Sequence, residues 1–297
     1  MPSLPSIQLR AGFEIAYRFH QPTPLILVVN IHDSRASDII VPDSLTTMPS
    51  VQIASYVDSF GNRCNRLVAP PGRITLTVDA VVKDNGPDRI PIGAGQDAVE
   101  SLPEDTLMYL LGSRYCETDL LCQAAWQLFG HVTPGYPRVQ AICDFVHHHI
   151  FFDYQMARNT RTAWEAYNER VGVCRDYAHL AIALCRCMNI PARYCTGYLG
   201  DVGTPPPYPP GDFSAWFEAF LGGRWYIFDA RHNVPRMSRV LMARGRDAAD
   251  VAIVTTFGPG ILESFRVWAD EIPEGLIREL PSDVISDGAS YHRLSLS

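Results

Sequence analysis

The stretch Val171-Gly172-Val173-Cys174-Arg175-Asp176-Tyr177-Ala178-His179-Leu180-Ala181-Ile182-Ala183-Leu184-Cys185 decides how this chain is read. From Tyr177 onward it is apolar, and neither Gly nor Pro occurs until Pro191. The spacing predicts a mostly buried helix of roughly three to four turns. Gly172 is expected to let the chain turn sharply just before it. Cys174 would then sit in the first turn, where backbone N–H groups lack partners and the helix dipole is positive. That setting favours a thiolate, the nucleophilic form of cysteine. The plainer alternative is a small buried hydrophobe, the usual role of a free cysteine.

A second block lies downstream: Asp212-Phe213-Ser214-Ala215-Trp216-Phe217-Glu218, then Gly223-Arg224-Trp225-Tyr226-Ile227-Phe228-Asp229-Ala230. Together, Gly-Val-Cys-Arg-Asp-Tyr-Ala-His-Leu and this block resemble the bacterial transglutaminase-like superfamily, whose members are often described as cysteine proteases. The resemblance implies a papain-like core with Cys174 as nucleophile and Asp229 as the acid that orients a base. It also places Trp216 beside the base. One position departs from the pattern. Where the family carries its catalytic His, this chain has Ser214, whose hydroxyl does not titrate near neutrality.

The remaining histidines are the candidates for a substitute base. His232 lies three residues past Asp229, and strand alternation would turn it to the opposite face unless the segment is already a loop. His179 is five residues after Cys174, about 140° around a helix, which suits a core imidazole bonded to backbone. His147, His148 and His149 fan around one helix and predict no metal site. Oxyanion donors are expected from the Cys174 backbone N–H, with Asn168 and Trp164 as side-chain candidates. Thr204-Pro205-Pro206-Pro207-Tyr208-Pro209-Pro210-Gly211 reads as a stiff polyproline connection before the altered strand.

Working outward, residues 7–83 alternate apolar and polar side chains in short runs separated by turn residues, which predicts a β-sandwich. The resemblance implies the same for an N-terminal domain. The expected architecture is α+β: a β-sandwich over 1–105, a transglutaminase-like core over 106–256, and an extension over 257–297. Helices are predicted over 105–111, 119–129, 138–150 and 162–169, and strands over 192–198, 215–221 and 224–229. Gly222-Gly223 is a hairpin signal between the last two.

Composition bounds the partners. The chain has 297 residues, 47% of them hydrophobic, enough for two cores. Its net charge of −7 argues against nucleic acid or an anionic membrane as partner. No apolar run reaches the ~20 residues of a membrane helix. Met1–Arg10 lacks the pattern of a signal peptide, and the eight cysteines show no CxxC pair or zinc spacing. A cytoplasmic protein with reduced thiols, no metal and no cofactor is expected. The leading functional expectation is a cysteine-dependent acyl-transfer enzyme, a peptidase or amidase rather than a transamidase, forming a thioester at Cys174 on a peptide or protein substrate. The alternative is a non-catalytic relative that binds peptides or protein partners, because the base position holds Ser214. Nothing in the sequence fixes the oligomeric state.

Overall fold

The computed structural model describes residues 6–86, 90–206, 208 and 211–273. The N-terminal half supplies β1 (Ile7–Phe19), β2 (Thr23–Leu27), β3 (Ile39–Val41), β4 (Thr46–Met48), β5 (Ala54–Val57), β6 (Arg63–Ala69) and β7 (Gly72–Asp84). Helices α1 (Glu104–Leu107), α2 (Thr118–Phe129) and α3 (Tyr136–His149) follow. A short parallel pair, β8 (Phe151–Phe152) with β9 (Val171–Gly172), brackets α4 (Ala163–Glu169) and leads into α5 (Cys174–Cys187). Then come β10 (Ala192–Leu199), β11 (Ser214–Leu221), β12 (Arg224–Phe228), β13 (Arg239–Gly245), β14 (Val254–Thr256) and β15 (Gly260–Ile272).

Two antiparallel sheets form a sandwich. One has the order β15-β1-β7-β3, with β4 also on β7; the other is β14-β2-β6-β5. Ile7–Phe19, expected as two strands, is one. Gly12 permits this: a Cβ there would meet the Val78 carbonyl at 2.3 Å and the Trp268 ring at 2.6 Å. Both faces close over Leu9, Phe13, Ile15, Leu25, Leu27, Leu76 and Val82, all at most 1% exposed. The segment from 257, expected as an extension, contributes β15 instead. β15 pairs with β1 from Gln8↔Ile272 to Phe19↔Gly260. Residues 274–297, including the polar stretch from Asp283, lie outside the described residues.

The second unit is α+β. Its sheet runs β12-β11-β10-β13, all antiparallel. The β11–β12 hairpin turns at Gly222 (φ 56°) and Gly223 (φ 82°). Two successive positive φ values are what a two-residue turn needs to match strand twist, and glycine adopts them without strain. Helix α5 packs on one face, with Leu180, Ala181, Ile182, Ala183 and Leu184 wholly buried. The other face joins the sandwich, where Tyr198, Val240 and Met242 enter the apolar core of the N-terminal sheets. One helix therefore lies centrally, with its N-terminus beside the start of β11.

Candidate functional site

Cys174 is the first residue of α5, after Val173 in extended conformation. The helix start is fixed by Asp176, which is fully buried. The Val173 N–H donates to Asp176 Oδ2 at 2.9 Å, and the Asp176 N–H donates to the Val173 carbonyl at 2.8 Å. Arg161, itself 1% exposed, supplies Nη1 at 3.2 Å to the same carboxylate. Gly172 is required here for space rather than for a sharp turn. A Cβ would fall 2.7 Å from Asp176 Cβ and Oδ2.

The Cys174 residue is partly exposed, but its thiol is desolvated, and burial pushes it up to about 11. The Arg231 guanidinium and the Ala215 backbone N–H act against this, while the Asp212 and Asp229 carboxylates reinforce it. This reverses the expected thiolate. A helix N-terminus contributes a fraction of a charge, and without a partner cation in contact it does not offset desolvation. The hydrogen bond to the sulfur comes from backbone, the Ala215 N–H.

Ser214 opens β11 and is 6% exposed; its Oγ is buried without a hydrogen-bond partner among the described residues. Strand alternation puts Ser214, Trp216 and Glu218 on one face and Ala215, Phe217 and Ala219 on the face that meets α5. Trp216 is 1% exposed and packs with Cys195 and Leu241, under the Arg239 guanidinium at 4.7 Å. It is a core side chain, not the wall of an open cleft.

Asp229 follows β12 directly. Its Oδ1 accepts the backbone N–H groups of Arg231 (3.0 Å) and His232 (3.1 Å). Its Oδ2 accepts Arg239 Nη2 at 2.8 Å and lies 2.9 Å from His232 Nδ1. Burial alone would raise this carboxyl, but Arg239 and His232 hold it well below the usual range. The residues after Asp229 form a turn, closed by the Asn233 N–H on the Asp229 carbonyl at 2.8 Å. His232 is thus free of strand alternation and reaches back to Asp229. His147 Nδ1 lies 2.8 Å from the Arg231 carbonyl and braces the same turn.

The other candidates fall elsewhere. Asn168 is exposed and donates to the Trp164 carbonyl of its own helix at 2.7 Å. Trp164 stacks on Tyr167. Among the described residues no hydrogen bond joins either to Cys174. His179 is wholly buried between Tyr115 and Tyr194, and its Nε2 accepts the Ala248 N–H at 3.1 Å. His148 and His149 each face a backbone carbonyl at 2.7 Å. Among the described residues no group of three His, Cys, Asp or Glu is placed to hold a metal, and no helix is long and apolar enough to cross a membrane. Of the loop Thr204–Gly211, positions 207, 209 and 210 lie outside the described residues.

Sequence reasoning missed Arg231 and Arg239. Arg231 packs 3.9 Å over the Phe152 ring and is the cation felt most by the Cys174 sulfur. Arg239 joins Asp229 to Trp216. Both lie near the Asp229 block, but only the pairing of β13 with β10 shows which acid Arg239 meets.

Residues 123–230 match the transglutaminase-like superfamily. The whole fold is similar to the crystal structure of a "Putative Cysteine Protease from Cytophaga hutchinsonii": TM-score 0.80, 32% identity, 91% of this chain and 92% of that one covered. An uncharacterised protein of Mycobacterium leprae is 36% identical over 94 residues; the match spans 30% of this chain and about a third (32%) of that protein. The periplasmic domain of TgpA from Pseudomonas aeruginosa bound to ethylmercury is 15% identical, with a TM-score of 0.38 over 75% of this chain and 90% of that one.

Proposed function

The chain belongs to the transglutaminase-like superfamily, and from that premise we propose that it binds a peptide or protein partner rather than turning one over. The observation that carries this reading is position 214, where the base of the family pattern is replaced by a buried hydroxyl with no hydrogen-bond partner among the described residues. Acyl transfer through cysteine needs a thiolate and a base that takes and returns a proton. Here the thiol is pushed up to about 11 by burial, and position 214 offers a hydroxyl. Asp229, the orienting acid of the family pattern, already accepts four donors from Arg231, His232 and Arg239. A partner is expected to be polypeptide because the fold resembles those that act on peptide and side-chain amides.

One observation favours a second reading, that of a slow cysteine-dependent amidase. His232 and Asp229 form the imidazole–carboxylate pair that a general base needs, 2.9 Å apart.

Alkylation by iodoacetamide against pH separates the two. The binding reading expects the Cys174 rate to climb through pH 9 with no plateau below pH 8. A plateau near neutrality, together with turnover of an amide substrate that is lost in Cys174→Ala and His232→Ala, would establish the amidase.

A further inference from the structure

Six of the eight cysteines are buried, and only Cys122 and Cys174 reach the surface. Cys122 lies in the second turn of α2, and Cys187 is the last residue of α5, 4% exposed. Packing of α2 on α5 brings these two together although they stand 65 positions apart in the chain. The Cys122 thiol faces the Cys187 carbonyl at 4.0 Å. The Cys187 thiol donates to the Thr118 carbonyl at 3.4 Å, one turn before Cys122 on the same side of α2. A side-chain hydrogen bond joins the two thiols themselves.

The remaining cysteines are placed differently. Cys116 donates to the His179 carbonyl at 3.5 Å, and Cys64 faces the Asp58 carboxylate at 3.8 Å. Cys143 and Cys185 lie close enough to feel each other's charge, but both are buried in the core, away from any solute. Among the described residues, Cys122 is the cysteine that combines a half-exposed thiol with a second thiol in contact. Burial, reinforced by Cys122, holds the Cys187 thiol above its ordinary range. Cys122 is therefore the sulfur that a dissolved oxidant meets first, with Cys187 behind it as the second thiol.

We propose that Cys122 is a site of reversible oxidation, which Cys187 resolves into a disulfide tying α2 to the end of α5. The oxidant is a hydroperoxide. The Cys122 sulfur attacks its terminal oxygen and the O–O bond breaks, leaving a sulfenic acid and releasing an alcohol or water. The Cys187 sulfur then attacks Cys122 Sγ. The S–S bond forms as the S–O bond breaks, and the hydroxyl departs as water with the Cys187 proton. The two thiols lose two electrons in all, and the peroxide oxygens gain them. A small thiol reductant reverses the change by exchange. Helix α5 carries Cys174 as its first residue, so the tie fastens the far end of the helix that presents it. The inference goes beyond the binding reading and does not depend on it.

The test uses the full chain carrying Cys174→Ala, so that the other thiol at the surface takes no part. The protein is treated with hydrogen peroxide, quenched with catalase, alkylated in denaturant and digested with trypsin without reduction. Two thiols should be lost. Peptide 115–138 should appear joined to peptide 187–193, two hydrogens lighter than their sum, with fragmentation assigning the bridge to Cys122 rather than to Cys116 on the same peptide. Dithiothreitol should restore both thiols. Cys122→Ser, at a half-exposed position, should abolish the joined peptide and leave Cys187 free to alkylate. Three results would each overturn the proposal: a bridge between other cysteines, Cys122 oxidised while Cys187 stays free, or no thiol loss at a peroxide concentration that oxidises glutathione.

Discussion

Cys174 and Ser214 decide the chemistry between them. The thiol stands at a helix N-terminus but is desolvated, and the strand position that would supply an imidazole supplies a hydroxyl with no partner among the described residues. Ser214→His is expected to place a ring on the same sheet face as the Asp229 side chain, and to raise alkylation of Cys174 at pH 7 by at least about tenfold by favouring the thiolate. If thiol-dependent amidase activity appears as well, general-base catalysis should make it about 10²-fold or more above the parent. An unchanged alkylation profile would mean that position 214 does not reach the sulfur. Much of this site was legible: the Gly-Val-Cys block located the helix start, and Ser214 was visible as a departure. The environment of the sulfur was not. That environment is shared by Tyr154, Tyr194, Asp212 and Arg231, which come from well-separated segments of the chain.

At the scale of elements, glycines set close approaches that no side chain could share. Gly12 in β1 lies under Trp268 and against the Val78 carbonyl. Because backbone cannot give way as a flexible side chain can, Gly12→Ala should destabilise by about 1–3 kcal/mol or more, read as a lower urea midpoint. Gly172→Ala meets Asp176 instead, and is expected to disturb the start of α5 and change the alkylation rate of Cys174 at fixed pH. A fully native rate would show that Asp176 can shift without consequence. The strand β15 makes a third test. It covers one edge of β1 along the whole strand, so a chain ending at Thr256 exposes that edge and its apolar face. Such a chain is expected to aggregate or lose cooperative unfolding, whereas an independent tail would be removed without effect.

For the whole molecule, buried titratable groups predict how stability depends on pH. His179 is held well below 6.5, by burial first and then by Arg175 and Arg186; His32 is lowered to about 4, by burial and then Arg244 and Arg193. Both are neutral when folded and bind a proton more readily once unfolded. The unfolded state therefore gains protons as pH falls through 6.5, and stability falls with it, by at most about 1.4 kcal/mol per pH unit for each imidazole. Asp229 and Glu218 are held below their ordinary values of 3.8 and 4.5 despite burial, so their stabilisation is present above those values and is lost as pH falls through them. Urea midpoints should decline in two stages, one starting near pH 6.5 and one below about pH 4.5. His179→Gln should flatten the first stage. The family, the α+β class, the Gly222-Gly223 hairpin and the start of α5 were determined by sequence, because each depends on local periodicity, turn chemistry or a contiguous motif. The return of β15 to β1, the grip of Arg239 on Asp229, the raised thiol and the contact of Cys122 with Cys187 were decided by tertiary structure. Each joins residues far apart in the chain, and the burial and pairing that set their energies exist only after the sheets have assembled.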